Sequence, residues 1–181
     1  MSDMSEAVQA EGRQAPPDDK AVVTSTAAEQ EFAKQFAAKQ KEIQTALLNL
    51  LEGASAGNQQ LVDSALDFGV PVDSCDGQGF TALIRAARHQ HTELVRHLLS
   101  RGANAGRTTD LGNSAFMYAA RNGDLAAMQT LATAQGEAAA VRHTNMNGES
   151  ALHWAALSGR SKAVSWLLQR KAAPAVQTRE G

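Results

Sequence analysis

The chain has little of several features that particular protein classes require. Its 181 residues include one cysteine, Cys75, so no internal disulfide can form, which fits a reducing compartment. Aromatic residues make up only 4% of the sequence, which argues against a thick core of large rings and favours many thin layers of Ala and Leu. No run of about 18 apolar residues is present, so we expect no membrane-spanning helix.

The N-terminus also lacks a secretory signal, because MSDMSEAVQAEGRQAPPDDK has acids where a basic flank and an apolar stretch would stand. We therefore expect a cytoplasmic protein, unless it is exported by a route that leaves no such signal. Residues 1–25 are polar and net acidic, and they have too little apolar surface to offset the entropy of ordering. We predict that they form a disordered acidic arm.

A capping-box pair, Thr26 and Glu29, follows this arm and precedes apolar residues at helical spacing. These apolar residues include Phe32, Phe36 and Ile43. The pattern predicts an amphipathic helix over about 27–52 that packs against the next part of the chain.

Three later segments align with one another, and each begins with a turn glycine: Gly79, Gly112 and Gly148, which are 33 and 36 residues apart. Two residues after each glycine stands a hydroxyl residue suited to cap a helix, namely Thr81, Ser114 or Ser150. An Ala-Ala pair and a second apolar helix follow in each segment. The repeated unit is therefore turn, helix, tight turn, helix and loop.

This unit resembles the ankyrin repeat. TALIRAA with LVRHLLSRGA, and SALHWAALSG, match the family's helix start, Ala-Ala pair, paired Val/Leu positions and glycines. The resemblance covers about residues 43–181 and implies an all-α, ankyrin-like solenoid of stacked helix-turn-helix repeats over 26–181, with an N-terminal capping helix. We predict a capping helix with a variant first repeat (26–75), three further repeats (76–108, 109–144 and 145–177) and the start of an incomplete repeat (178–181).

Two departures from the family pattern carry structural predictions. Gln90 replaces the glycine between the helices of the second repeat, which either forces a left-handed residue or changes that turn. The third repeat has three extra residues in AQGEAAAVRH, for which we predict a longer outer loop.

Several residues suggest chemistry, but the sequence favours scaffold roles for them. The resemblance implies that His153 hydrogen-bonds near the turn of the neighbouring repeat and holds the stack together. His89, His91 and His97 have no second cysteine or paired acid at ligand spacing, so we expect no metal site. Cys75 has no evident partner base. With no phosphate-binding loop or nucleophile elbow, we predict no catalytic residue, no cofactor and no enzyme.

Equivalent positions of the repeats predict two rows across the first helices, on the concave side. Six residues after each turn glycine stand Arg85, Tyr118 and Trp154, and directly after it stand Phe80, Asn113 and Glu149. A cation beside two rings is typical of a binding hot spot. In the alternative, Tyr118 and Trp154 pack against each other only to cover the first-helix layer, and the sequence leaves both interpretations open.

The same side is predicted to be basic around the middle repeats, where Arg88, His89 and Arg121 end the first helices. Five arginines from Arg85 to Arg107 stand against Glu93 alone, a local charge of about +4. An acidic protein partner is the functional interpretation, and a solvated face is the alternative. Nucleic acid is disfavoured, because the net charge is −2 and basic and aromatic residues do not interleave.

We therefore expect a non-catalytic protein–protein interaction module, such as a bacterial regulator, inhibitor or immunity-type protein, with no small-molecule substrate. Its predicted binding residues are Phe80, Arg85, Arg88, His89, Tyr118, Arg121 and Trp154. The alternative is the targeting portion of a larger effector or enzyme whose remaining domain is absent from this sequence, which the incomplete repeat suggests.

Overall fold

The computed structural model describes the backbone of residues 19–170 and the side chains of residues 27–170. Over this range the regular structure is helical, with α1 (Asp19–Ala56), α2 (Gln59–Asp67), α3 (Ala82–Arg88), α4 (Thr92–Ser100), α5 (Ala115–Asn122), α6 (Leu125–Gln135), α7 (Glu137–Arg142), α8 (Ala151–Leu157) and α9 (Ser161–Gln169). The three aligned segments each contain two helices of the predicted unit, α3 with α4, α5 with α6 and α8 with α9. The predicted incomplete repeat at 178–181 and most of the acidic arm lie outside the described residues.

The first helix is longer than the sequence predicted. It starts at Asp19, so residues 19–25, which we assigned to the arm, are helical, and Thr26 lies inside the helix rather than at its start. The reason is local, because the segment from Asp19 to Gln40 is rich in Ala, Lys, Glu and Gln and contains neither Gly nor Pro.

The chain forms two compact units, Met1–Lys41 and Glu42–Gly181, and the boundary between them falls within α1. In the first unit, Phe32 and Phe36 stack with ring centroids 6.4 Å apart and are 70% and 57% exposed. The packing of these two rings against the next part of the chain stays a prediction. In the second unit, burial along α1 begins at Ala46 and continues with Leu50, Leu51 and Ala54.

The core of the second unit consists of thin layers, as the low aromatic content predicts. The first helices α3, α5 and α8 contact one another in order, and the alanines Ala86, Ala119 and Ala155 between them are fully buried. Small side chains let these short helices approach closely. The larger buried side chains fill the space beneath them and include Leu83, Ile84, Leu98, Phe116, Met117, Met128, Leu131 and Leu167.

Backbone hydrogen bonds join the turns of successive repeats. The Asp110 N–H donates to the Gln78 carbonyl at 3.0 Å, and the Met146 N–H donates to the Leu111 carbonyl at 3.0 Å. Gly79 has φ +78°, and a Cβ at this position would lie 2.9 Å from the Asp110 nitrogen. Glycine is therefore required at this position for two reasons: the backbone is left-handed, and the next turn approaches too closely for a side chain.

Each of the three predicted hydroxyl residues stands at the cap of its helix. Thr81 accepts from the Ile84 N–H and Ser114 accepts from the Met117 N–H, each at 3.3 Å. At the third position Ser150 and His153 form a capping box, in which the Ser150 N–H donates to Nδ1 of His153 at 3.2 Å. The histidine therefore caps the start of its own helix.

Gln90 adopts the left-handed conformation, with φ +65°. The equivalent inter-helix glycines Gly57, Gly123 and Gly159 have φ of +72°, +76° and +67°. Of the two alternatives for this departure, the structure shows the first, in which the turn keeps its form and a non-glycine residue adopts the glycine conformation.

The three extra residues of the third repeat do not lengthen a loop. They belong to the short helix α7, separated from α6 by Gly136 at φ +93°. The prediction of a longer outer loop was wrong because Glu137 and the alanines after it favour a helix, which buries Ala140 and Val141.

Candidate functional site

Three aromatic rings form a continuous row across the first helices. Phe80 precedes α3, Tyr118 lies on α5 and Trp154 lies on α8. The ring centroids of Phe80 and Tyr118 are 6.1 Å apart, and those of Tyr118 and Trp154 are 5.1 Å apart. Tyr118 is only 6% exposed, whereas its two neighbours are half-buried. The sequence therefore grouped these rings correctly, but the Tyr118 ring is core and offers little area to a partner.

Two guanidinium groups lie over the outer rings of this row. The Cζ atom of Arg88 is 5.3 Å from the centroid of the Phe80 ring, and that of Arg121 is 5.8 Å from the Trp154 ring. Both arginines are exposed and stand near the ends of α3 and α5. Such cation–π contacts restrain the planar guanidinium while leaving its N–H edge available for a hydrogen bond.

Arg85 differs from these two arginines because it is tied into the scaffold. It forms an ion pair with Asp76 and donates from Nη1 to Oγ of Ser55 at 3.1 Å. Burial raises the pKa of Asp76, but hydrogen bonds from the N–H groups of Phe80 and Gln78, with the contact from Arg85, outweigh this effect and hold the pKa below its ordinary value. Arg85 therefore joins the turn of the second repeat to the end of α1.

The predicted basic surface is smaller than the arginine count indicates. Arg96 pairs with Glu93 at 2.6 Å, and Arg101 pairs with Asp63 at 2.6 Å and Asp67 at 2.8 Å. The local charge of about +4 was overestimated, because that count subtracts Glu93 but omits the acids outside the segment: Asp63 and Asp67, which neutralise Arg101, and Asp76, which pairs with Arg85. Among the residues that the structure describes, the arginines at the ends of α3 and α5 form no ion pair.

A network of hydrogen bonds holds the side chain of Trp154 in place. Its indole Nε1–H donates to Oε2 of Glu149 at 3.0 Å, and Nδ2 of Asn145 donates to the same oxygen at 2.8 Å. The bond from Trp154 has the larger effect and the bond from Asn145 the smaller, and together they keep the pKa of Glu149 below its ordinary value despite partial burial. Nδ2 of Asn145 also lies 2.9 Å from Oδ1 of the buried Asn113. Two members of the second predicted row, Glu149 and Asn113, therefore belong to the network that positions the indole.

A surface depression of about 390 Å³ opens beside this indole. Its lining includes Arg121, Trp154 and Leu157, and the leucine side chain is 81% exposed. Leu157 is not among the binding residues that the sequence predicted. Its position in the repeat could have indicated it, because Leu157 stands nine residues after its turn glycine, as Arg88 and Arg121 do.

Comparison with protein families identifies the repeat. Models described as "Ankyrin repeats (many copies)" and "Ankyrin repeats (3 copies)" match residues 50–99 and 92–178. The chain belongs to the ankyrin-repeat family. This confirms the all-α solenoid, and ankyrin repeats are in general non-catalytic protein–protein interaction modules.

Two curated proteins are similar to parts of this chain. The chain is 34% identical over 136 residues to tyrosine-protein kinase Shark of Drosophila melanogaster, covering 74% of this chain. It is 46% identical over 56 residues to "Ankyrin repeat, SAM and basic leucine zipper domain-containing protein 1" of Ovis aries, covering 31% of this chain. The alignments span only 14% and 12% of those proteins.

His89, the remaining predicted binding residue, is exposed just after α3. Its ring lies 6.4 Å from that of His91. Desolvation, with the nearby charges of Arg88, His91 and Arg85, lowers the pKa of His89 below 6.5. At neutral pH it therefore adds hydrogen-bonding capacity to the ankyrin surface rather than charge.

The other histidines act within the ankyrin scaffold. His91 Nε2 donates to the Ser55 carbonyl at 2.9 Å, and His97 Nε2 lies 2.7 Å from Oδ1 of Asp63. Each of these bonds joins two repeats, and no three potential metal ligands converge anywhere in the described residues. The residue that bonds to a neighbouring turn is His143, whose Nε2 donates to the Gly112 carbonyl at 2.7 Å.

His153 does not make the inter-repeat bond that the resemblance implied. Its Nδ1 accepts from the N–H of Ser150, three residues earlier, which places the ring at the start of α8. None of the helices within the described part of the chain has the length and apolar character needed to cross a membrane.

Proposed function

We propose that the chain recognises a protein partner through an exposed row formed by Arg88, Arg121 and Leu157, the recognition row. One observation carries the proposal: the restrained, unpaired guanidinium of Arg121 lines the same depression as a leucine that is 81% exposed, and a second such guanidinium, that of Arg88, lies over Phe80 at the other end of the aromatic row. Arginine and large apolar groups around a tryptophan are the composition of a binding hot spot. Phe80 and Trp154 form the platform under this row.

The other predicted binding residues support the row from within the scaffold. Arg85 and Tyr118 fix the platform, and His89 contributes at its edge. Because the rings and arginines stand on packed helices, little conformational entropy is lost on binding. Two unpaired cations favour an acidic partner by electrostatic complementarity.

A module that binds without catalysis can change the activity of its partner by occupying part of the partner's surface. We therefore extend the proposal to a bacterial regulator, inhibitor or immunity-type protein that binds without catalysis. The single cysteine, Cys75, supports a cytoplasmic location, where thiols stay reduced.

A second candidate function is the targeting portion of a larger effector or enzyme. It is favoured by the alignment to the fly tyrosine-protein kinase, which covers 74% of this chain and 14% of the kinase. Sequencing the transcript through and beyond the codon for Gly181 tests it. An open frame that continues into a catalytic domain supports this candidate, and a stop codon removes it.

The recognition row is tested with two variants of equal charge change. The test variant is Arg88→Gln/Arg121→Gln/Leu157→Asn. The matched control, Arg96→Gln/Lys162→Gln/Leu168→Asn, also removes two cations and one exposed leucine, but from second helices. All six side chains are exposed, so both variants should keep the circular dichroism of the native protein.

Each protein is immobilised and used to capture partners from a lysate of the source organism, with quantitative mass spectrometry as the measurement. We expect the native chain and the control to retain the same specific protein, and the test variant to lose at least tenfold of it. Equal recovery by the test variant would refute the recognition row. Equal loss by the control would show that the second helices bind instead.

A further inference from the structure

The first part of α1 carries two large apolar side chains that are exposed. Every side chain from residue 27 to residue 41 is exposed, and the stacked rings of Phe32 and Phe36 lie within this segment. A helix in a protein gains most of its stability by packing an apolar face against another surface. Two adjacent exposed rings on such a helix therefore indicate an interaction surface.

Two charged residues flank the ring pair at equal distances. Glu29 stands three residues before Phe32, and Lys39 stands three residues after Phe36. Residues three and four apart lie on the same face of a helix, so the four side chains form one stripe in the order acid, ring, ring, base. Their spacing of three, four and three residues is that of the contact positions of a coiled coil.

This order makes the stripe complementary to a reversed copy of itself. When two copies pair in antiparallel orientation, Glu29 of each copy faces Lys39 of the other, and Phe32 of each faces Phe36 of the other. A parallel pair in the same register would instead place Glu29 against Glu29 and Lys39 against Lys39. Because facing like charges are costly and opposite charges fix the register, the stripe selects a second, antiparallel copy.

The rest of the segment leaves room for such a pair. The four residues that flank the stripe on the helix surface are uncharged: Ala28, Ala33, Gln35 and Gln40. The other charged residues of the segment fall on the remaining helix surface: Glu31, Lys34 and Lys41. No further charge therefore opposes close approach of two helices along the stripe.

We propose that the stripe of Glu29, Phe32, Phe36 and Lys39 joins two copies of the chain through an antiparallel pair of α1 helices. The four rings form the centre of the contact, and an ion pair between Glu29 and Lys39 closes each end. The proposal uses other residues than the recognition row and does not rest on the proposed function. Each dimer would present two recognition rows, so a partner with two binding sites would be held with avidity.

Sedimentation equilibrium of the full chain tests the association. The contact covers only two rings per copy, so we expect a reversible monomer–dimer equilibrium within the range of about 1 to 500 μM. Phe32→Gln/Phe36→Gln should weaken dimerisation at least tenfold while the circular dichroism of the chain stays the same. The matched control is Leu111→Asn/Met146→Asn, which also removes two exposed apolar side chains, and it should leave the dimer within twofold of the native one.

A cycle of charge reversals tests the orientation. Glu29→Lys should weaken dimerisation at least tenfold, because two lysines then meet at each end of the antiparallel pair. Glu29→Lys/Lys39→Glu restores opposite charges at both ends and should return the dimer to within threefold of the native one. Glu31→Lys makes the same change in charge outside the stripe and should leave the dimer within twofold.

Three results would overturn the proposal: a chain that stays monomeric at every concentration, a dimer that the phenylalanine variant leaves intact, and a double charge reversal that does not restore the dimer. A monomeric chain whose Tm falls on Phe32→Gln/Phe36→Gln would show that the rings pack against the next part of the chain. A monomeric chain with an unchanged Tm would leave the stripe to a different protein. A dimer that responds equally to Glu29→Lys and Glu31→Lys would exclude the antiparallel register.

Discussion

Tyr118 meets Trp154 edge to face, with ring centroids 5.1 Å apart and ring planes at 77°. The tyrosine is 6% exposed, and the tryptophan is half-buried beneath the guanidinium of Arg121. One buried ring thus positions an exposed one. Substitutions in this part of the chain should therefore separate into those that destabilise the fold and those that remove recognition.

Tyr118→Ala tests the first group. Removing a buried aromatic ring between two others should lower the free energy of unfolding by about 3–5 kcal/mol, through lost contacts and the cavity left behind. Urea denaturation followed by circular dichroism measures this. Arg121→Gln is the comparison, and it should change stability by less than about 0.5 kcal/mol because its side chain is exposed. Similar losses in both variants would mean that the tyrosine ring is not a structural anchor.

Trp154→Phe tests the bond that orients the indole. Phenylalanine keeps a ring but removes the Nε1–H that donates to Glu149. Because this bond is the main cause of the lowered pKa of Glu149, that pKa should rise toward its ordinary value, while the bond from Asn145 limits the rise. Carboxyl-detected NMR titration of both proteins measures the change. An unchanged pKa would show that the indole does not hold this carboxylate.

The sequence predicts those features of the fold that depend on local chemistry. Thr81 and Ser114 cap their helices as the hydroxyl pattern indicates. For Gln90 the sequence left two alternatives, and the structure shows the left-handed conformation. Each of these depends on a few neighbouring residues. The register also brings Phe80, Tyr118 and Trp154 together in one row.

Features that depend on contacts between repeats were not predictable in the same way. The burial of Tyr118 depends on rings from two other repeats. The neutralisation of Arg101 depends on Asp63 and Asp67, more than thirty residues earlier in the chain. A count of charges along the sequence treats such pairs as free, which is why the predicted basic surface was too large.

Asp63 and His97 form the junction whose stability should depend on acid pH. The hydrogen bond from His97 is the main cause of the lowered pKa of Asp63; burial opposes it, and Gln59 and Arg101 also lower it. Because the folded-state pKa lies below the ordinary value of 3.8, the carboxylate stabilises the fold above this pH. That contribution is lost as the pH falls through the folded-state value.

Asp63→Asn should therefore be less stable than the native protein by about 1 kcal/mol at pH 7, since the site is partly exposed and screened by salt. The difference should shrink at pH 3, where the native carboxyl group is increasingly protonated. Guanidinium denaturation at both pH values measures it. Glu93→Gln, which removes an exposed pair with Arg96, should cost less than about 0.5 kcal/mol at either pH. A difference for Asp63→Asn that is the same at both pH values would exclude the carboxylate as its source.

Gln90 and Gly159 form a reciprocal test of the inter-helix turn. They occupy equivalent positions, with φ of +65° and +67°, and the turn after each keeps the same backbone bond, His91 N–H to Ala86 and Arg160 N–H to Ala155. A left-handed L-residue costs about 1–2 kcal/mol, and glycine loses about 0.5–1 kcal/mol more backbone entropy on folding.

Gln90→Gly should therefore stabilise the fold by about 0.5–1 kcal/mol and raise the Tm by about 1–4 °C. Gly159→Ala should lower the Tm by a similar amount through backbone strain alone, since a Cβ there meets no atom within 4 Å. Differential scanning calorimetry measures the Tm of both variants. A lower Tm for Gln90→Gly would show that the glutamine side chain stabilises the fold by more than its backbone conformation costs.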